Sequence, residues 1–204
     1  MNTIDNLITI LGCGGHARSV ADVILDNFPF KKIIFIDESA LPDEMILGFK
    51  VFKTISMEFN DYFCAYGNNS LRKKMIEQYG VRGLANIISN NSHIGKSSKI
   101  SKGIFVGLGS HIGPEVTIDI GTIINTNAVI EHETIIGSYC HIAPNATICG
   151  RCRIGNNVFI GAGSIIKDNI SISANTTIGA GSVVVSDIVR PGIYTGAPAK
   201  QHHY

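Results

Sequence analysis

The chain has 204 residues, 45% hydrophobic and 16% charged, so it is long enough for one or two domains and too apolar for global disorder. Seventeen Lys and Arg against 16 Asp and Glu leave a formal charge of +1, too weak a field to make nucleic acid or an anionic membrane the default partner. No run reaches the ~18 consecutive apolar residues of a membrane span, and Met1-Asn2-Thr3-Ile4-Asp5-Asn6 lacks the basic-then-apolar layout of a signal peptide, so the five cysteines read as reduced thiols in a cytoplasm.

The first 87 residues alternate between strand and helix patterns. Leu7–Leu11 is an apolar run that meets Gly12-Cys13-Gly14-Gly15. From His16 to about Asn27 the period turns helical, with Val20, Val23 and Ile24 on one face, and Pro29 stops it. Ile33–Ile36 reads as a second strand ending at Asp37-Glu38, and Tyr62–Tyr66 as a third ending at Gly67-Asn68-Asn69. Ser70–Tyr79 reads as a second helix, with Leu71, Met75 and Ile76 inward and Arg72, Lys73 and Lys74 on a solvated face. Together these predict a small α/β domain with a mostly parallel sheet over 1–87.

From residue 88 the grammar changes. Residues 1–87 hold 19 charged side chains, whereas 88–188 hold 12. Every sixth residue from Ile88 to Val184 is Ile or Val, seventeen positions without a break. Gly often follows directly, as at Gly95, Gly107, Gly137, Gly155 and Gly179, and a small or β-branched residue stands four places after each anchor, as at Ser110, Val116, Ala128, Cys140 and Ala146. A six-residue period is the signature of a β-helix. The register has no insertion, so substrate contacts must come from the other domain or from a neighbouring subunit. Apolar residues outside the anchor set, among them Ile123, Val129, Ile135, Phe159 and Ile165, predict exposed stripes of the kind that cyclic assembly buries.

Several residues carry candidate chemistry. His132-Glu133 could act as a base with a supporting carboxylate or be an ordinary solvated pair, and Glu131 competes for the supporting role. Gly12-x-Gly14-x-x-Ala17 follows a strand and opens a helix, with Asp37 ending the next strand. That resembles half a dinucleotide fingerprint, suited to a diphosphate, or else a tight turn with no ligand. Cys149-x-x-Cys152 has no second pair to complete a metal site, and Cys140 and Cys152 fall on small inward positions. His93 and His111, 18 apart, should stack on successive coils, while His111 and His141 should lie on different faces; no metal is expected. His202 and His203 read as part of a mobile terminal tail.

Four segments together resemble the PglD/NeuD-type bacterial sugar acetyltransferases: Gly12-Cys13-Gly14-Gly15-His16-Ala17; Tyr66-Gly67-Asn68-Asn69 with Arg72-Lys73-Lys74; Asn125–Glu133; and Gly196-Ala197-Pro198-Ala199-Lys200. The resemblance implies a left-handed parallel β-helix of hexapeptide repeats over 88–189, three hexads to a coil and between five and six coils, after a Rossmann-like nucleotide-sugar-binding domain over 1–87 and before a C-terminal tail over 190–204. It implies acetyl-CoA as co-substrate and N-acetylation of the 4-amino group of a nucleotide-linked (dTDP, UDP or GDP) 4-amino-4,6-dideoxyhexose for a surface glycan of the O-antigen type. It implies a cytoplasmic homotrimer with active sites between subunits. By the same resemblance His132 is the general base and Glu133 its support, and His141, Gly150, Ala162 and Ala180 contact acetyl-CoA. Gly14, Gly15, His16, Asp37, Glu38, Gly67 and Asn68 contact the nucleotide-sugar. O-acetylation of a sugar or sialic acid, a non-catalytic nucleotide-sugar-binding protein, and a zinc lyase on the same prism are the competing readings.

Overall fold

The computed structural model describes residues 7–54 and 61–202; Met1–Asn6 and His203 lie outside them. The apolar run becomes β1 (Leu7–Leu11), and the chain turns at Gly12, whose φ of +108° suits glycine, into α1 (Gly15–Asn27). Then come β2 (Lys32–Ile36), β3 (Met45–Ile46), β4 (Phe49–Phe52), β5 (Tyr62–Cys64) and α2 (Asn69–Tyr79). The sheet runs β3-β4-β2-β1-β5, parallel except for the β3–β4 hairpin. That hairpin was not legible in the sequence: its strands are too short to show a period.

The seventeen anchors each close a two-residue strand, from Ile87–Ile88 to Val183–Val184. Strands 18 residues apart pair in parallel, His111 with Val129 and Val129 with Thr147, so three hexads make one coil. The result is a prism with three faces. Face one carries strands His93–Ile94 through Val183–Val184, face two Lys99–Ile100 through Ser171–Ile172, and face three Ile87–Ile88 through Thr177–Ile178. Inside is a column of anchors and small residues, Ile112, Ile118, Ile124, Ala128, Ile130, Cys140 and Cys152 among them. At the corners Asn127, Asn145, Asn157 and Asn175 take left-handed φ near +55° to +58°, which asparagine tolerates better than most residues.

Three readings need correction. Residues 190–202 are no loose tail: Ile193–Thr195 pairs with Thr177–Ile178 on face three, Lys200–Gln201 pairs back on it, and the His202 N–H donates to the Ile193 carbonyl. Ile123 is not an exposed stripe; with Phe105 it is fully buried against Ala17, Val20 and Phe63 of the first domain. Ile135 and Ile165 do stay exposed, at 40% and 46%. Arg72 does not face water, and Leu71 does: Arg72 is completely buried while Leu71 is 39% exposed. The two domains are thus one packed unit, also tied by Asn27, which donates to the Ile88 carbonyl and accepts from the Asn90 N–H.

Because the anchors from Val106 to Ile178 are buried with neighbours above and below, truncation there should leave a cavity the regular coil cannot close. Ile118→Ala, on face two away from the first domain, should cost about 2–5 kcal/mol, read as a lowered midpoint in chemical denaturation; an unchanged midpoint would mean that the column is not close-packed.

Candidate active site

The corner between faces one and two holds His132 and Glu133. Its glycine-like bend is taken by Glu133 itself, at φ +60°. The His132 Nδ1 lies 2.8 Å from Glu133 Oε2. A carboxylate oxygen only accepts, so a proton sits on Nδ1, and in the neutral ring the Nε2 lone pair is left for another partner. Both side chains are about half exposed, and Arg151 Nη1 stands 3.5 Å from the same carboxylate oxygen. One coil later Gly150 lies against the ring: a Cβ there would come within 2.5 Å of His132 Cε1. Glycine is therefore what allows the imidazole to lie over the next coil. Glu131, the other candidate support, makes no side-chain contact of this kind in the described residues.

A second cluster forms where the first domain meets face three. His141 stands in strand His141–Ile142, with Nδ1 3.2 Å from the Gly67 carbonyl and Nε2 3.2 Å from Asn125 Nδ2. Asn125 Oδ1 is occupied by the Thr126 N–H at 2.8 Å, so its amide must present N–H to the ring. His141 is accordingly neutral, with its proton on Nδ1. Its neighbour His16, in the first turn of α1, packs edge-on to Phe105 at 4.8 Å and lies 6.1 Å from the His141 ring. The His16 Nε2 is buried without a hydrogen-bond partner. Burial pushes His16 down to about 3 and His141 down to about 4; the Arg72 charge acts in the same direction on both.

The glycine loop is braced from below. Asp37 Oδ2 accepts from the Cys13 N–H at 3.0 Å, and Oδ1 from the Ser39 N–H and hydroxyl. Burial works to raise this carboxyl, but those hydrogen bonds outweigh it and hold it below its ordinary value. Gly14 and Gly15 open onto free space, whereas a Cβ added at Gly67 would lie 3.9 Å from the His16 Cβ. Asn68 caps α2 by accepting from the Leu71 N–H. Beside it a recess opens between Gly67, Asn68 and Ser70 and the prism residues Asn157, Phe159 and Asn175. Glu38, next to Asp37, is exposed.

One chain does not unite all the predicted site residues. His132, Glu133 and Gly150 occupy the corner between faces one and two; His16, Gly67 and His141 lie across the prism, on face three. Ala162 and Ala180 are exposed and stack on successive coils at the corner between faces three and one, where the Gly181 N–H donates to the Ala162 carbonyl. His93 and His111 do stack, at 5.0 Å and 9°. Among the described residues no three His, Cys, Asp or Glu side chains converge as metal ligands. Burial pushes the Cys140 thiol up to about 12 and raises Cys152, the opposite of an activated nucleophile. Asn125 and Arg72 were missed as site residues; each shows its role only through partners distant in sequence.

Residues 7–79 match the family described as PglD N-terminal domain, and residues 151–186 the bacterial transferase hexapeptide family of six repeats. The acetyltransferase domain of PglB from Neisseria gonorrhoeae FA1090 superposes with a TM-score of 0.90 at 28% identity, over 97% of this chain and 100% of that one. It has also been solved in complex with acetyl coenzyme A. PerB from Caulobacter crescentus, in complex with CoA and GDP-perosamine, gives 0.88 at 29% identity over 96% of this chain and 97% of that one. WeeI from Acinetobacter baumannii AYE shares the fold at 0.82 and 23% identity. The uncharacterized protein L142 of Acanthamoeba polyphaga mimivirus is 35% identical over 111 residues, and the chain spans 22% of that curated relative's length. Among the described residues no helix is long and apolar enough to cross a membrane.

The two half-buried histidines, His16 and His141, set a pH response. Their folded pKa values lie below the ordinary 6.5, so the unfolded chain binds protons first as pH falls. Stability should be insensitive to them above pH 6.5 and decline from there toward pH 4, by about 1.4 kcal/mol per unit for each histidine. Denaturant midpoints across that window should fall, and His141→Gln should flatten the fall; a flat wild-type profile would contradict the buried neutral state.

Proposed function

We propose that this chain, which resembles the PglD-type hexapeptide acetyltransferases in both its domains, transfers acetyl from acetyl-CoA to the 4-amino group of a nucleotide-linked 4-amino-4,6-dideoxyhexose. The observation that carries the proposal is the 2.8 Å His132–Glu133 contact on a prism corner. It fixes one tautomer and leaves Nε2 as a proton acceptor, which amine acylation needs. The sugar ammonium loses its first proton to solvent water, and the free amine attacks the thioester carbonyl while His132 Nε2 takes the second proton. The C–S bond then breaks, and the imidazolium returns that proton to the departing CoA thiolate. Glu133 steadies the imidazolium while it exists.

The acceptor's diphosphate is assigned to the open loop at Gly14 and Gly15, where glycine lets backbone approach and the N-terminus of α1 favours anions. Gly67 and Asn68 close that pocket, with His16 beside the sugar and Asp37 and Glu38 toward the nucleoside. His141 faces the thioester, and Gly150, Ala162 and Ala180 offer small surfaces to the rest of CoA. Since the prism stands between His132 and His141 of one chain, a second copy must supply one of them. A homotrimer with exposed Ile135 and Ile165 at or near its contacts accounts for both facts. A cytoplasmic step in surface glycan assembly follows from this substrate class.

The decisive assay measures free thiol released from acetyl-CoA with a panel of GDP-, UDP- and dTDP-linked 4-amino-4,6-dideoxyhexoses, with CMP-sialic acid as the O-acetyl comparator. One amino sugar should be turned over, and His132→Ala should lower kcat by about 10²–10⁴-fold with nucleotide-sugar binding retained. Release with the sialic acid alone would assign O-acetylation instead, and unchanged turnover in His132→Ala would remove the base from its role.

A further inference from the structure

Arg72 is the single buried Lys, Arg, Asp or Glu among the described residues, and it has no carboxylate partner there. An unpaired buried charge is expensive, so its surroundings must compensate for lost water. They do so with oxygens. Nε donates to the Gly121 carbonyl at 2.6 Å. Nη1 donates to Tyr66 and Gly67 at 2.8 and 3.3 Å. Nη2 donates to Asn69 Oδ1 at 2.8 Å and to the Tyr139 and Cys140 carbonyls at 3.1 and 2.9 Å. Every guanidinium proton is engaged, and the acceptors come from both domains.

Two of these contacts bear on one ring. The Cys140 carbonyl belongs to the peptide that leads into His141, and the Gly67 carbonyl accepts from the His141 Nδ1–H. We propose that Arg72 is a positioning residue for His141: its guanidinium clamps the backbone that carries the ring and the carbonyl that receives the ring proton, and so locks the Nδ1–H tautomer and the aim of Nε2. This rests on the reading above that His141 faces the acyl donor. A lysine could not replace it, because its three protons radiate from one nitrogen and cannot span acceptors on opposite sides of a planar fork. Beside the geometry, burial first and the Arg72 charge after it keep His141 neutral, against the opposing pull of the Gly67 hydrogen bond.

The test uses the full chain labelled with ¹⁵N-histidine and long-range ¹H–¹⁵N correlation, His141 being identified by its loss in His141→Gln. Wild type should show one neutral Nδ1–H form from about pH 5.5 to 8. Arg72→Lys, checked for folding by its melt, should populate both tautomers, titrate at higher pH, and lose about 10- to 100-fold in kcat/KM for acetyl-CoA. Should Arg72→Lys not fold, Asn69→Ala, which removes one guanidinium acceptor and keeps the charge, is read for the same mixing of tautomers. A wild-type ring with its proton on Nε2, or a folded variant whose His141 signals are unchanged, would overturn the proposal. The spectrum needs no turnover: absence of acetyl transfer to any amino sugar would refute the proposed function and leave this result to be judged separately.

Discussion

The six-residue register governs everything else in this molecule. An anchor at every sixth position forces a bend after each short strand, and three bends bring the backbone over itself 18 residues on. Any side chain is then stacked on the residue 18 places away. That is why His132 rests on Gly150, why His93 stacks on His111, and why Phe105, Ile123, His141 and Phe159 form one outward column on face three. The scaffold has no freedom to gather distant residues by looping, since nothing is inserted in it. What it can do is present a ladder of addresses, and the first domain reads one face of that ladder.

The junction between the domains shows how two unlike architectures are made rigid with respect to each other. Apolar contact supplies the area: Phe105 and Ile123 sit in the first domain's core with Ala17, Val20 and Phe63. Apolar contact is not directional, however, and would tolerate sliding of α2 along the prism. The Arg72 fork does not. Its acceptors lie at Gly121 and at Tyr139–Cys140, on adjacent coils, as well as at Tyr66–Gly67. A slide by one coil, about 4.8 Å, would strand a buried cation, which is the kind of penalty that selects a single register. Asn69 adds a second polar stitch by donating to the Val158 carbonyl.

How much of this the sequence disclosed depends on the range of the interaction. The β-helix was legible to the residue, because its period is local and repeats seventeen times. The helices and three central strands were legible for the same reason. Arg72 was misread because Arg72-Lys73-Lys74 has the charge of a solvated face, and the prism acceptors that bury the arginine, Gly121, Tyr139 and Cys140, come from residues 49 to 68 positions away. Its spacing held a clue: Arg72 and Ile76 are one turn apart, and Ile76 was already inward. Ile123 was read as outward, which is true of its strand, but a sequence does not say whether a neighbouring copy or the chain's own first domain covers such a column. The hairpin Met45–Phe52 and the pairing of Ile193–Thr195 were missed because single strands of two to four residues are too short to show a period.

The two histidines of the proposed mechanism illustrate why environment, more than residue type, assigns chemistry. His141 is half-buried, hydrogen-bonded on both ring nitrogens and flanked by a cation, and desolvation with the Arg72 charge opposes protonation more than the Gly67 carbonyl favours it. A group in that state can shape a ligand's pocket, but it is poorly suited to take up and return a proton in each turnover. His132 is half exposed, has a carboxylate on one nitrogen and leaves the other free, and the developing imidazolium would have both a counter-charge and water. On the proposed mechanism the same residue type would supply a fixed, neutral wall on face three and a base on the opposite corner. Because the prism separates them by its own thickness, the proposed transfer, with the donor held by one and the acceptor deprotonated by the other, would require two prisms to stand side by side. On that proposal the division of labour within the chain is what calls for assembly.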